Sequence, residues 1–301
     1  LIAGPRVEVS QQSITPFDPV NLDLETETTE LNEVALLPSV SLIYSPLTRA
    51  NFRTSLTRTV ARPQLRELAP FAYADYFGGR EIRGNVDLVN TSIINADTRF
   101  EYFPTSREVV AVSAFYKRFE DPIEQVLVPS SGNGIVSFQN AVGGNLFGIE
   151  LEARKSLDMF AEVLRPLTVI ANVTLAHSRI DLDPVSSLQL TSQSRPLSLQ
   201  APFIINAAID FDEPAWGTRA RLLYNVVGPR LYQVGSNGIP DIYEEPRHGL
   251  DLSFGQQIGK HVEARAAVTN LIDSPVRRAH DTESGDNVTE EYRLGRTFSI
   301  G

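Results

Sequence analysis

Apolar and polar residues alternate with a period of two along most of this chain. They do so in segments of about ten residues, the length a tilted strand needs to cross a bilayer. From Thr168 to Ala176, one face carries Val169, Ala171, Val173 and Leu175, and the other carries Thr168, Ile170, Asn172 and Thr174. Phe203, Ile205, Ala207, Ile209 and Phe211 alternate with Ile204, Asn206, Ala208 and Asp210. An aromatic ring thus stands at each end of the apolar row, as on lipid-facing strands with aromatic girdles. Val110, Val112, Ala114 and Tyr116 oppose Ala111, Ser113, Phe115 and Lys117 in the same way. Phe147, Ile149, Leu151 and Ala153 oppose Gly148, Glu150, Glu152 and Arg154, with charge on one face only. Further segments of this kind cover residues 1–12, 37–44, 50–60, 92–103, 217–232, 247–258, 260–271 and 290–301, for a total of about twelve strands.

The connections alternate in length. Residues 45–49, 104–106, 158–165 and 213–216, and a tight turn at Gly259, form the short ones. Residues 13–36, 61–91, 120–144, 181–198, 233–246 and 272–289 form the long ones. A soluble sandwich has no reason to put every long loop at one end, whereas an outer-membrane barrel combines short periplasmic turns with long extracellular loops. The pattern predicts an all-β fold, an antiparallel transmembrane β-barrel spanning residues 1–301, with no internal repeat beyond the strand–loop rhythm.

Composition sharpens this reading. No apolar stretch approaches the ~18 residues of a membrane-spanning helix, so a membrane location requires strands. The opening Leu1-Ile-Ala-Gly-Pro-Arg6 lacks the regions of a signal peptide. Charged residues make up 21% of the chain and are spread along it instead of gathered into tails, which argues against disorder. A formal charge of -10, from 27 basic and 37 acidic residues, argues against a nucleic-acid partner. The absence of cysteine excludes disulfides, thiolate metal sites and cysteine nucleophiles.

Candidate chemistry is sparse. The two carboxylates of Asp121-Pro-Ile-Glu124 are more simply a strand-to-loop junction than an acid/base pair, because proline stops a ladder. The tract Asp281-Thr-Glu-Ser-Gly-Asp-Asn287 offers oxygen ligands without the spacing of a calcium loop. His177, His248, His261 and His280 share no metal-binding spacing. Gly143-Gly-Asn-Leu-Phe-Gly148 and Gly132-Asn-Gly134 lack the Lys-Ser/Thr of a phosphate loop and are read as turn glycines, while Gly148 and Gly255 within strands are read as sites of curvature or close backbone approach. No Gly-x-Ser-x-Gly elbow is present. No catalytic residue, metal or cofactor is therefore expected. Ligand contact is expected on long loops: Tyr73, Asp75, Tyr76, Phe77 and Arg80 in one, and Tyr243, Glu244 and Arg247 in another, against the simpler alternative of loop packing. Alternation places Asn172, Asn206, Asp210, Arg219 and Arg221 on the lumen side.

Several segments carry a family resemblance. They are Thr59-Val-Ala-Arg-Pro-Gln-Leu-Arg-Glu-Leu-Ala-Pro-Phe71, Gly84-Asn-Val-Asp-Leu88, Asn95-Ala-Asp-Thr-Arg-Phe-Glu-Tyr-Phe-Pro104 and Ala114-Phe-Tyr-Lys-Arg-Phe-Glu-Asp-Pro-Ile-Glu124. Further on come Gly148-Ile-Glu-Leu-Glu-Ala-Arg154, Leu222-Leu-Tyr-Asn-Val-Val-Gly228, Asp241-Ile-Tyr-Glu-Glu-Pro-Arg247 and Val268-Thr-Asn-Leu-Ile-Asp273. In their order and spacing the chain resembles the barrel of TonB-dependent receptors, particularly those with an N-terminal carboxypeptidase-regulatory-like domain. The resemblance implies the C-terminal part of a twenty-two-stranded barrel in the outer membrane of a Gram-negative bacterium, embedded in outer-membrane lipid. It also implies import of an external solute such as a siderophore, glycan, cobalamin or peptide, driven by TonB through a plug. A plug, a TonB-binding box and an aromatic end to the last strand are missing from this sequence, so the chain reads as truncated at both ends. Alternative readings are a structural barrel that holds a surface lipoprotein or other protein partner, a passive pore of about twelve strands, and, last, a soluble β-sandwich enzyme. The solute is not legible, because fold does not fix ligand.

Overall fold

In the computed structural model, residues 1–15, 28–74, 81–128, 134–182, 190–192, 194–236, 238–282 and 287–301 are described. Twelve antiparallel strands follow one another in chain order across a single sheet. They are Ile2–Ile14, Thr29–Leu47, Ala50–Ala61, Thr91–Tyr102, Val109–Glu120, Gly143–Ser156, Leu167–Asp181, Phe203–Glu213, Thr218–Val227, Arg247–Ile258, Val262–Thr269 and Thr297–Ile300. The two-residue strand Ser194–Arg195 hooks onto the far end of Leu167–Asp181. Neighbouring strands satisfy one another's backbone donors and acceptors, the only arrangement other than a helix that lipid tolerates. Within the described residues, the first strand pairs with the second alone and the last with Val262–Thr269 alone, so the sheet is an open wall.

The register carries the apolar rows from strand to strand. Phe52, Phe100, Val112, Leu151, Val173 and Ile205 are successive cross-strand partners. Because side chains alternate across a strand, one shared register keeps the whole set on one face. That face is not a core: Leu151 is 46% exposed, Leu175 52% and Ile209 47%. Water would penalise so wide an apolar surface, and lipid would not. The soluble-sandwich alternative, in which the 169–175 and 203–211 rows pack against each other inside a water-soluble core, is therefore overturned.

Aqueous packing is concentrated beyond the outer ends of the strands. Val126, Ala141, Ile180, Leu182, Leu190, Leu231 and Val234 are buried together, drawn from three different long connections and one strand end. Two small sheets frame this region. One joins Ala72–Tyr73, Ile82–Arg83, Ile123–Val128 and Ile135–Asn140, and the other joins Arg230–Gln233, Ile242–Glu244, Val276–His280 and Val288–Tyr292. The long connections are thus partly built as strands, where the sequence pattern showed only polar loops.

Several boundaries differ from expectation for physical reasons. The second strand begins at Thr29, not near residue 37, with Ile14 paired to Thr29. Its outer end carries Glu30, Asn32 and Glu33 because that part stands in water, which erases the alternation. The segment 217–232 is two strands, split at Gly228-Pro229; proline cannot donate to a ladder, and a Cβ on Gly228 would lie 2.9 Å from the Phe203 ring. Of residues 290–301, only Thr297–Ile300 lies in the wall, and Gly295, with φ +79°, separates it from Val288–Tyr292. Gly143 and Gly144 sit in a strand, not in a turn. A Cβ on Gly144 would meet the Ile180 side chain at 2.3 Å, so the glycine admits a close neighbour.

Candidate functional site

The inner face of the wall carries a polar rib. Glu101, Ala111, Glu152, Asn172, Asn206 and Asn225 are successive register partners on six strands. Arg99 joins its start to its middle: Nη2 donates to Glu152 Oε2 at 2.6 Å, Nε to Glu101 Oε1 at 2.9 Å and Nη1 to Ser113 Oγ at 3.1 Å. Arg53 closes the far side of Glu101 at 3.0 Å. Asn225 donates to Asn206 at 2.7 Å. Such pairs hold the strands in register while presenting amide and carboxylate edges inward.

Below the rib, Arg221 grips Asp210 through two parallel bonds of 2.6 and 2.7 Å. This planar fork is a geometry that lysine cannot supply. Arg219 lies 3.6 Å from Asp212, with both side chains largely exposed. The inner-face groups expected from alternation, Asn172, Asn206, Asp210, Arg219 and Arg221, therefore share one side of the sheet, and their charges are neutralised in pairs. The structure adds Asn225, Arg99, Glu101 and Glu152. The alternation in residues 221–226 and 147–154 carries the signal for Asn225 and Glu152.

The outer region holds a second polar cluster. Arg195 and Glu124 meet at 2.8 Å with side chains 2% and 3% exposed. Ser198 donates to Glu124 Oε2 at 2.7 Å, and Arg195 Nη2 donates to the Gln125 carbonyl at 2.9 Å. Asp121 does form the expected junction, with φ 53° immediately after its strand ends. Glu124 is instead a buried partner of a residue about seventy positions away.

Of the loop residues expected to touch ligand, Tyr73 pairs with Ile82 at a strand end and lies beneath Arg66, whose Cζ is 5.0 Å from the ring centre. Asp75, Tyr76, Phe77 and Arg80 lie outside the described residues. Tyr243 packs on the outer apolar cluster, where burial pushes its hydroxyl above the ordinary phenol range, with Asp241 and Asp281 adding to the effect. Glu244 is buried and bonded to Arg230 at 3.0 Å, with Arg278 at 3.6 Å. Arg278 in turn stacks 3.7 Å from the Tyr232 ring centre. Arg247 opens the inner face of its strand, opposite Val227. Tyr243, Glu244 and Arg247 thus occupy one neighbourhood, with Glu244 committed to two arginines. Residues 283–286 of the acidic tract lie outside the described residues.

At the periplasmic end, Glu108 accepts from Lys155 Nζ at 2.7 Å and from the Ser156 amide at 3.3 Å. Lys155 holds its carboxyl below the usual carboxylate range.

An apolar outward face, a polar and internally paired inner face, short turns at one end and folded loops at the other define the wall of an outer-membrane β-barrel. The model of the TonB-dependent receptor-like β-barrel family matches residues 1–271, and the chain belongs to that family. It is 24% identical over 222 residues to the iron-regulated outer membrane virulence protein of Vibrio cholerae, a match covering 72% of this chain and 32% of that protein. The ferric enterobactin receptor of Pseudomonas aeruginosa, solved with enterobactin, superposes with a TM-score of 0.60 at 18% identity, over 90% of this chain and 41% of the receptor. The ferric yersiniabactin uptake receptor of Yersinia pestis gives 0.60 at 18%, over 91% and 38%. The chain spans about a third of the curated relative it matches. It forms a stretch of outer-membrane β-barrel wall of a receptor family.

Proposed function

We propose that the protein containing this chain takes up a ferric siderophore across the outer membrane, with TonB supplying the energy through a plug held inside the wall. The observation that carries this reading is the family match over residues 1–271, together with relatives whose names concern iron. The geometry is compatible with it. The inner face offers polar edges and paired charges to a plug or a passing solute. The open order of the twelve strands favours a share of a larger barrel over a self-contained pore, because strand number and closure are linked. Glycan, cobalamin and peptide remain the competing solutes, and a scaffold for a surface protein the competing role.

Deletion of the gene in its own host tests the proposal, with radioiron-labelled siderophores supplied under iron limitation. Uptake of at least one ferric siderophore should disappear, and in the parent strain a protonophore should abolish it. Unchanged iron uptake, or uptake that survives the protonophore, would refute the receptor reading in favour of another solute or a passive pore.

A further inference from the structure

Along the outward face, one register line holds three arginines on alternate strands. Arg58 pairs with Ile94, Ile94 with Arg118, Arg118 with Asn145, and Asn145 with Arg179. At the ~4.8 Å spacing of neighbouring strands, successive arginines stand roughly 10 Å apart. All three are exposed. They share the parity of the lipid-facing residues and lie one step outward of Leu56, Tyr116, Phe147 and His177. The Phe147 and His177 rings are 5.4 Å apart, a girdle of the kind that marks a membrane boundary.

Among the described residues an acid pairs with Arg179, and none pairs with Arg58 or Arg118. Among the described residues, Arg58 bonds to the Ser92 hydroxyl alone, at 3.0 Å. Arg179 meets Asp181 at 3.1 Å, but both side chains are more than half exposed, and such pairs contribute about 1 kcal/mol or less. Glu120 sits one further step outward, opposite Ser92 and Gly143. Arginines directly above an apolar surface and its aromatic rim match one occupant, a molecule with an acyl part below and a phosphate above. Guanidinium forks bind phosphate in two-point fashion.

We propose that Arg118 and Arg179, with Arg58 flanking, form a binding site on the outer surface of the wall for a phosphate-bearing lipid headgroup of the outer leaflet. The site rests on the assignment of the lipid face and is independent of the solute transported. It would fix the height of the wall in the membrane and brace the three strands that carry the outer loops.

The test uses the full-length protein, purified in detergent and titrated by native mass spectrometry. The probes are lipid A and its dephosphorylated form, with inorganic phosphate as competitor. At ~1 kcal/mol for each surface arginine near an anionic headgroup, the Arg118→Gln/Arg179→Gln variant should bind lipid A about thirtyfold more weakly. The corresponding double lysine variant should keep most of the affinity, and Arg83→Gln, in an outer loop, should change nothing. The dephosphorylated lipid should bind the unaltered protein as weakly as lipid A binds the glutamine variant, a comparison that needs no mutation. Equal binding of lipid A by the glutamine variant, equal binding of the dephosphorylated lipid, or displacement of lipid A by equimolar inorganic phosphate would overturn the site.

Discussion

Replacing Glu124 by alanine should loosen the outer region far more than its single hydrogen-bonding carboxylate suggests. The Arg195 guanidinium is 2% exposed and relies on Glu124, Ser198 and the Gln125 carbonyl. Removing the carboxylate strands a cation beside the apolar cluster, and breaking a buried pair in this way costs roughly 3–5 kcal/mol. Replacing both partners by apolar residues of similar size, Glu124→Leu with Arg195→Met, should cost little, because the desolvation of two charges is removed together with their attraction. The appropriate assay is amide hydrogen exchange of the folded protein in detergent, read at Val126 and Leu127 and at Leu231 to Val234. The cluster opens locally there without the barrel unfolding. At about 1.4 kcal/mol per factor of ten, Glu124→Ala should speed exchange at these amides by roughly a hundredfold to a few thousandfold, with the transmembrane strands unchanged. Less than a threefold change, or a double apolar variant as labile as the single one, would refute the view that the pair closes this cluster.

Three further outcomes follow from other parts of the wall. Gly148→Val should lower stability by about 1–3 kcal/mol in thermal unfolding, since a Cβ there would stand 2.4 Å from the Leu175 carbonyl and the Phe115 ring. Gly249→Ala, with nothing nearer than 3.9 Å, is the control that should change little. Arg99→Ala should cost about 1–2 kcal/mol in the same assay, reduced by partial exposure and by the Arg53 contact that still serves Glu101. Glu108 has a depressed pKa in the folded state, so its stabilisation is complete above the ordinary carboxylate range and fades as pH falls through the depressed value. The thermal midpoints of the unaltered protein and Glu108→Gln should therefore differ near neutral pH and converge in acid.

The wall was legible because lipid and water impose opposite demands on the two faces of each strand. Each of the twelve expected segments contributes to it, and Val169–Leu175 and Phe203–Phe211 have the parity that alternation assigned them. Legibility faded where both faces meet water, as from Thr29 onward, where the polar end of a long strand reads as loop. The two outer sheets depend on strands of two to six residues joined across distant segments, such as the parallel pair Ile82 and Val136. No local pattern encodes such a pairing. The same holds for Glu124, whose role is fixed by Arg195, far away in sequence. The places of Asn172 and Asn206 follow from alternation alone, and the strand that carries Asn225 shows the same period.

On a lipid-facing wall, acyl chains, not water or protein, cover the row from Phe203 to Phe211. The chain contains no cysteine, so single cysteines can be introduced at each position from 203 to 211 and spin-labelled in vesicle-reconstituted protein. Collision with oxygen, which concentrates in lipid, should peak at positions 203, 205, 207, 209 and 211, and collision with a water-soluble nickel chelate at 204, 206, 208 and 210. The opposite phase, or labels immobile and shielded from both reagents on the odd positions, would contradict the account.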